Sequence, residues 1–166
     1  GPYKEMLPNC TILPEDKWLS ALISHYNDTK GVAKIRSFII KILRNLCLKL
    51  NCSITDKLYK KTVKRLFYDK KYDAVIAYSE GAPTALTYHL NHSNKIAWIH
   101  CDYSSYMKLK NDQDESKMYK TYKYIVCVSE YTKKEFCRIM PGIENKVYAI
   151  NNVVYAEEIK QLAKKQ

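Results

Sequence analysis

Four short apolar runs, each giving out into polar residues, constrain this chain more than any other feature. Asp73-Ala74-Val75-Ile76-Ala77-Tyr78 ends in Ser79-Glu80-Gly81, and Lys95-Ile96-Ala97-Trp98-Ile99-His100 ends in Cys101-Asp102-Tyr103-Ser104-Ser105. Tyr124-Ile125-Val126-Cys127-Val128 ends in Ser129-Glu130, and Lys146-Val147-Tyr148-Ala149-Ile150 ends in Asn151-Asn152. Each run has the length of a buried strand, and helical patterns fill the gaps between them. That rhythm implies right-handed crossovers and a parallel sheet, an α/β fold of the Rossmann-like kind with flanking helices. In open parallel sheets ligands sit outside the carboxyl ends of the strands. The four polar endings therefore fall on the edge where a site is expected.

The intervening segments read as helices. Pro83 suits the first position of a helix over 83–91, and Ser129 caps one over 130–139. A polar loop after residue 100 carries Asp112, Asp114 and Glu115 before a short helix near 114–121, and a terminal helix covers 156–164. Ahead of the first strand the chain is helical. Pro14-Glu15-Asp16 opens a helix to about Tyr26, after an extended stretch with room for a short strand at Thr11-Ile12-Leu13. Ile35, Ile39, Ile42, Leu46 and Leu50 recur at helical spacing over 32–50. Ser53 or Thr55 caps the next helix, whose apolar side is Leu58, Val63, Leu66 and Phe67.

A length of 166 residues suits one domain, and the initial Gly-Pro reads as a protease-cleavage scar. No apolar run approaches the ~20 residues of a membrane span. The net charge of +11 resides wholly in residues 30–71, which hold thirteen Lys/Arg against Asp56 and Asp69. A segment of this kind suits anionic lipid, nucleic acid or polyphosphate. The six cysteines form no CxxC pair and no zinc spacing, and read as free thiols of a reducing compartment. Among four glycines there is no GxGxxG and no P-loop, so the first βα units of a doubly wound domain are expected to lie upstream of residue 1.

At Tyr72–Ala77 with Glu80-Gly81, Lys95–His100 with Asp102, Val128-Ser129-Glu130 with Phe136 and Pro141, and Lys146–Val153, the chain resembles the N-terminal domain of bacterial family 4 glycosyltransferases. The resemblance covers 72–155 well and 1–71 loosely; Tyr3–Pro8 is similar to the segment after the second strand of such enzymes. These enzymes have the GT-B architecture of two facing Rossmann-like domains and build capsular, exopolysaccharide or lipopolysaccharide chains. The resemblance implies residues 3–155 as a partial acceptor-side domain and 156–166 as a helix leading toward a second domain. That second domain would hold most of the nucleotide-sugar site. It also implies a retaining transfer to a glycan or lipid-linked acceptor without cofactor or essential metal, and an isolated fragment without activity. Cytoplasmic placement follows, peripheral on the inner face of the cell membrane where the acceptor is lipid-linked.

The resemblance places His100 in the interdomain cleft as the catalytic candidate, where an imidazole can donate to developing negative charge. Asp102 is expected either to orient His100 or contact the acceptor, or to be a solvated loop carboxylate. Glu80, Gly81, Ser129, Glu130 and Asn152 complete the candidate cleft wall. Gly81 would permit close backbone approach. Glu80 is otherwise a carboxylate complementing a helix dipole, and Ser129 is better read as a helix cap than as a nucleophile. Tyr103, Tyr106, Tyr119, Tyr122 and Tyr124 fit packing better than an acceptor surface. No metal ligand set is proposed.

The basic helices leave three readings open. Lys34, Lys41, Arg44, Lys49, Lys60, Lys61, Lys64 and Arg65 form a solvated face over an apolar stripe buried on the sheet, or contact an anionic membrane or other anion. Nucleic acid is disfavoured, because no recognition motif accompanies the charge. The competing function is a non-enzymatic Rossmann-like module that docks on membrane or nucleic acid through these helices, with His100 incidental.

Overall fold

The computed structural model describes residues 9–24, 28–49, 53–109 and 115–164. The readings at residues 1–8, at the Leu50–Cys52 break and at Asp112 and Asp114 lie outside the described residues. The chain divides between Lys70 and Lys71 into two compact units.

Among the described residues the first unit holds three helices, α1 (Lys17–Ile23), α2 (Gly31–Lys49) and α3 (Ile54–Phe67), each packed on the other two. The short strand at Thr11-Ile12-Leu13 does not form. Asp16 stands outside α1 as its N-cap rather than in its first turn, with Oδ1 accepting from the N–H groups of Trp18 (2.9 Å) and Leu19 (3.0 Å). Its Oδ2 reaches across to α3, accepting from Thr62 Oγ1 (2.8 Å) and Arg65 Nη2 (2.8 Å). One carboxylate thus satisfies two orphan helix donors and staples α1 to α3. Burial raises its pKa, but these bonds outweigh burial and hold it at about 2. Ser53 is the cap of α3, settling the choice between it and Thr55.

The apolar stripe of α2 is not where burial on a sheet would put it. Ser37 and Ile40 are its buried residues, and Ser37 Oγ donates to the Ala21 carbonyl of α1 (3.2 Å). At ~100° per residue, Val32, Ile35, Phe38, Ile39, Ile42, Leu43 and Leu46 fall within an arc of about 140° on the opposite side, and all seven are exposed. The residues of α3 that are buried are Tyr59 and Thr62; Leu58, Val63, Leu66 and Phe67 are half-buried.

The second unit is a four-stranded, all-parallel sheet of β1 (Val75–Ala77), β2 (Lys95–Ile99), β3 (Tyr124–Cys127) and β4 (Val147–Ala149), in the order β1-β2-β3-β4. The connecting helices are α4 (Ala82–Tyr88), α5 (Tyr103–Leu109), α6 (Ser116–Lys120) and α7 (Glu130–Ile139), and α8 (Ala156–Ala163) follows β4. The loop expected after residue 100 contains one helix more than the sequence suggested, because Tyr103 and Met107 recur one turn apart and are both buried. Since every crossover advances the same way, a common handedness puts the connecting helices on one face of the sheet. α4 packs on β1 and β2, α7 on β3 and β4, α5 against α7, and α6 against α4.

The register Val75↔Lys95, Ala97↔Ile125 and Ile125↔Val147 aligns the residues of each face. One face contributes Ala77, Ala97, Ile99, Ile125, Cys127 and Val147 to a core completed by Tyr103, Met107, Tyr119, Tyr122, Phe136, Met140 and Ile143. Tyr103, Tyr119 and Tyr122 therefore serve packing, as the composition suggested, whereas Tyr124 is exposed on the other face. Buried Glu115 accepts from the hydroxyls of Tyr103 (2.8 Å) and Tyr106 (3.1 Å).

Two strand-opening lysines have structural work. Lys95 Nζ donates to the carbonyls of Tyr88 (3.2 Å) and Leu90 (3.4 Å) at the end of α4. Lys146 Nζ donates to those of Tyr119 (3.0 Å), Lys120 (2.9 Å) and Tyr122 (2.8 Å) at the end of α6. Each side chain satisfies carbonyls that a helix C-terminus leaves orphaned, and burial lowers the pKa of both amines.

Candidate functional site at the carboxyl edge of the sheet

Parallel topology brings Glu80-Gly81, His100-Cys101-Asp102, Ser129-Glu130 and Asn151-Asn152 to one edge of the sheet. Their side chains then take different tasks. Glu80 is turned onto the backbone of the neighbouring strand, where its Oε1 accepts from the N–H groups of both His100 and Cys101. These are amides that a strand end leaves without ladder partners, so Glu80 fixes the turn that presents His100. Burial first, and then the Glu80 carboxylate, push the Cys101 thiol up to about 12.

Gly81 adopts φ 79°, ψ −120°, a conformation that a side chain would strain. A Cβ there would meet only the Tyr106 hydroxyl, at 3.6 Å, so the requirement comes from the backbone and not from crowding. Asp102 bonds the first turn of α5, accepting from the Ser104 N–H (3.0 Å) and from Ser105 Oγ (2.9 Å). Ser105 is the main cause of its lowered pKa, and the bonds it makes go to α5 rather than to His100. Ser129 is the N-cap of α7, its Oγ accepting from the Thr132 N–H (3.1 Å), and Glu130 is an exposed acid of the same first turn. Asn152 is exposed in the coil after β4.

His100 follows β2 on the face opposite the helices, the face that also carries Trp98. The Tyr78 ring lies 4.9 Å from that of His100, edge to face, and 5.3 Å from that of Trp98, while Trp98 and His100 stack at 6.4 Å. His100 Nε2 and Trp98 Nε1 are both buried, and neither has a hydrogen-bond partner among the described residues. On the same face Ile76, Tyr78, Tyr124, Tyr148 and Ile150 are exposed, with Tyr124 and Tyr148 in edge contact at 6.0 Å. Sequence reasoning selected His100 but not Tyr78 or Trp98. Their signal was strand alternation: Trp98 is two residues before His100, and the pairing Ala77↔Ala97 sets Tyr78 beside Trp98.

The basic candidates belong to the first unit. Lys34, Lys41 and Arg44 on α2 and Lys60, Lys61, Lys64 and Arg65 on α3 are exposed, and Lys49 closes α2 with its side chain outside the described ones. Among the described residues no three His, Cys, Asp or Glu side chains gather as a metal set, and no helix is long and apolar enough to cross a membrane. No family model, curated protein or solved structure matches this chain.

Proposed function

We propose that this chain is the acceptor-side part of a retaining glycosyltransferase, moving a sugar from a nucleotide-sugar to a glycan or lipid-linked acceptor in surface polysaccharide synthesis. The observation that carries the reading is the Tyr78–Trp98–His100 cluster at the carboxyl end of a parallel sheet. A sugar ring has apolar C–H faces and a rim of hydroxyls. Aromatic faces suit the first, and the hydroxyl of exposed Tyr78 suits the second. An imidazole held by neighbouring rings and by a turn that Glu80 pins is pre-positioned to donate to charge developing on a transferred group.

In this reading Glu80 is a positioning residue, and Asp102 and Ser129 shape the wall by capping the helices that begin there. The test is nucleotide-sugar turnover by a longer chain that also carries a nucleotide-sugar-binding domain. A large fall in kcat for His100→Ala, with the fold unchanged, is expected. An active enzyme indifferent to His100→Ala would overturn the assignment.

The exposed apolar arc of α2 favours membrane adsorption over nucleic acid for the basic helices. An arc flanked by Lys34, Lys41 and Arg36 has the anatomy of an interfacial helix, each cation near an anionic surface adding about 1 kcal/mol. This would bring the chain to the membrane that holds a lipid-linked acceptor. Co-sedimentation with vesicles containing phosphatidylglycerol, weakened by Ile35→Ser/Ile42→Ser, is the expected result. Salt-dependent duplex binding without vesicle binding would favour the non-enzymatic module instead.

A further inference from the structure

The first unit carries a half-open cavity of about 530 Å³, apart from the sheet-edge site. It lies where the three helices meet, and its wall carries four cations, Lys17, Arg36, Lys61 and Arg65, against two acids, Glu15 and Asp16. Asp16 is committed: its oxygens are occupied by Arg65, Thr62 and the first turn of α1. Lys17, Arg36 and Lys61 make no side-chain hydrogen bond or ion pair among the described residues, and they come from three different helices, α1, α2 and α3. Trp18 adds an aromatic wall that is 42% exposed. Three uncommitted cations lining one space of ligand size, with Glu15 as the carboxylate that offsets them, leave a positive excess that an anion would complete.

We propose that this cavity binds a phosphate or diphosphate group, held between the Arg36 guanidinium and the Lys61 ammonium with Trp18 against the adjoining part of the ligand. Arg36 supplies a planar pair of donors and Lys61 a compact charge, the combination that suits tetrahedral oxyanions. The phosphate comes either from a soluble ligand or from a lipid headgroup, and the chemistry recognised is the same. The proposal stands independently of the sheet-edge assignment, since none of its residues belongs to the sheet, and shares Arg36 with the membrane-adsorption reading.

The test is calorimetric titration of the whole chain with inorganic pyrophosphate at fixed ionic strength. Saturable one-site binding is expected, weakened at least about tenfold in Arg36→Gln/Lys61→Gln. In Lys57→Gln/Lys70→Gln, which removes two cations outside the cavity, it should be little changed. Equal loss in both variants, or no saturable binding, overturns the proposal. Circular dichroism of each variant separates loss of the site from loss of the fold, and Trp18→Ala gives a second variant that leaves every charge in place and weakens binding. Pyrophosphate that competes with binding to phosphatidylglycerol vesicles identifies the headgroup as the source. Pyrophosphate that binds without competing identifies a soluble ligand.

Discussion

Replacing Asp16 by alanine tests how the first unit is held together, because that one carboxylate does three jobs. As N-cap of α1 it contributes about 1 kcal/mol. It also accepts from Thr62 Oγ1, whose residue is 2% exposed. Losing that partner leaves a buried hydroxyl unmatched, at about 1–3 kcal/mol. The Arg65 pair has a half-exposed guanidinium and adds about 0–1 kcal/mol. These contributions share atoms and do not sum independently, so the expected loss is about 3 kcal/mol. Asp16→Asn keeps a capping oxygen and should lose about 1–2 kcal/mol. The pH dependence has a definite sign. The folded pKa of about 2 lies below the ordinary 3.8, so the carboxylate's stabilisation is complete above that ordinary value and is lost as pH falls from there through about 2. The assay is urea unfolding followed by Trp18 fluorescence in a Trp98→Phe background, repeated from pH 7 down to pH 2. A loss below about 1 kcal/mol, or an acid profile that Asp16→Ala leaves unaltered, would refute the staple.

Three further outcomes follow from the second unit. Glu80→Ala should speed amide hydrogen exchange at His100 and Cys101 by tenfold or more relative to their neighbours, about 1.4 kcal/mol in local opening; unchanged rates would remove Glu80 from its positioning role. Lys146→Met should lower stability by about 2 kcal/mol, because carbonyls at the end of α6 lose a charged donor; urea midpoints read from Trp98 in a Trp18→Phe background check this. Burial pushes the Cys127 thiol up to about 12, so iodoacetamide at pH 8 should spare it in the folded chain while modifying exposed Cys10. Peptide mass mapping that finds Cys127 alkylated without unfolding would contradict the buried strand.

The strands were legible because each is a run of four to six apolar residues closed by polar ones, and β1 to β4 fall inside the runs that marked them. α7 begins at Glu130 and ends at Ile139 as its cap and its period indicated. α5 was not legible. Tyr103-Ser104-Ser105 reads as a polar loop until Asp102 is seen to cap it and Tyr103 and Met107 to enter the core. For the candidate site, sequence located the edge but not the roles. Glu80 and Asp102 are the acids at the ends of β1 and β2, yet one carboxylate is taken by backbone amides across a strand gap and the other by a helix turn. Such pairings depend on strand register, which local pattern does not encode. The fate of the α2 stripe was hidden for the same reason: periodicity shows that a helix has an apolar side, not what that side meets.

The indole N–H resonances of Trp98 and Trp18 give the most direct test of the acceptor reading, since one indole lies in the proposed sugar site and the other in the phosphate cavity. The measurement is a proton–nitrogen correlation spectrum during titration with neutral alkyl glycosides and oligosaccharides, which carry no phosphate to engage Arg36 and Lys61. The account predicts a saturable shift of the Trp98 resonance, absent in His100→Ala/Tyr78→Ala, with Trp18 unmoved. A Trp98 resonance that stays in place across the panel, or moves no more than that of Trp18, would contradict it.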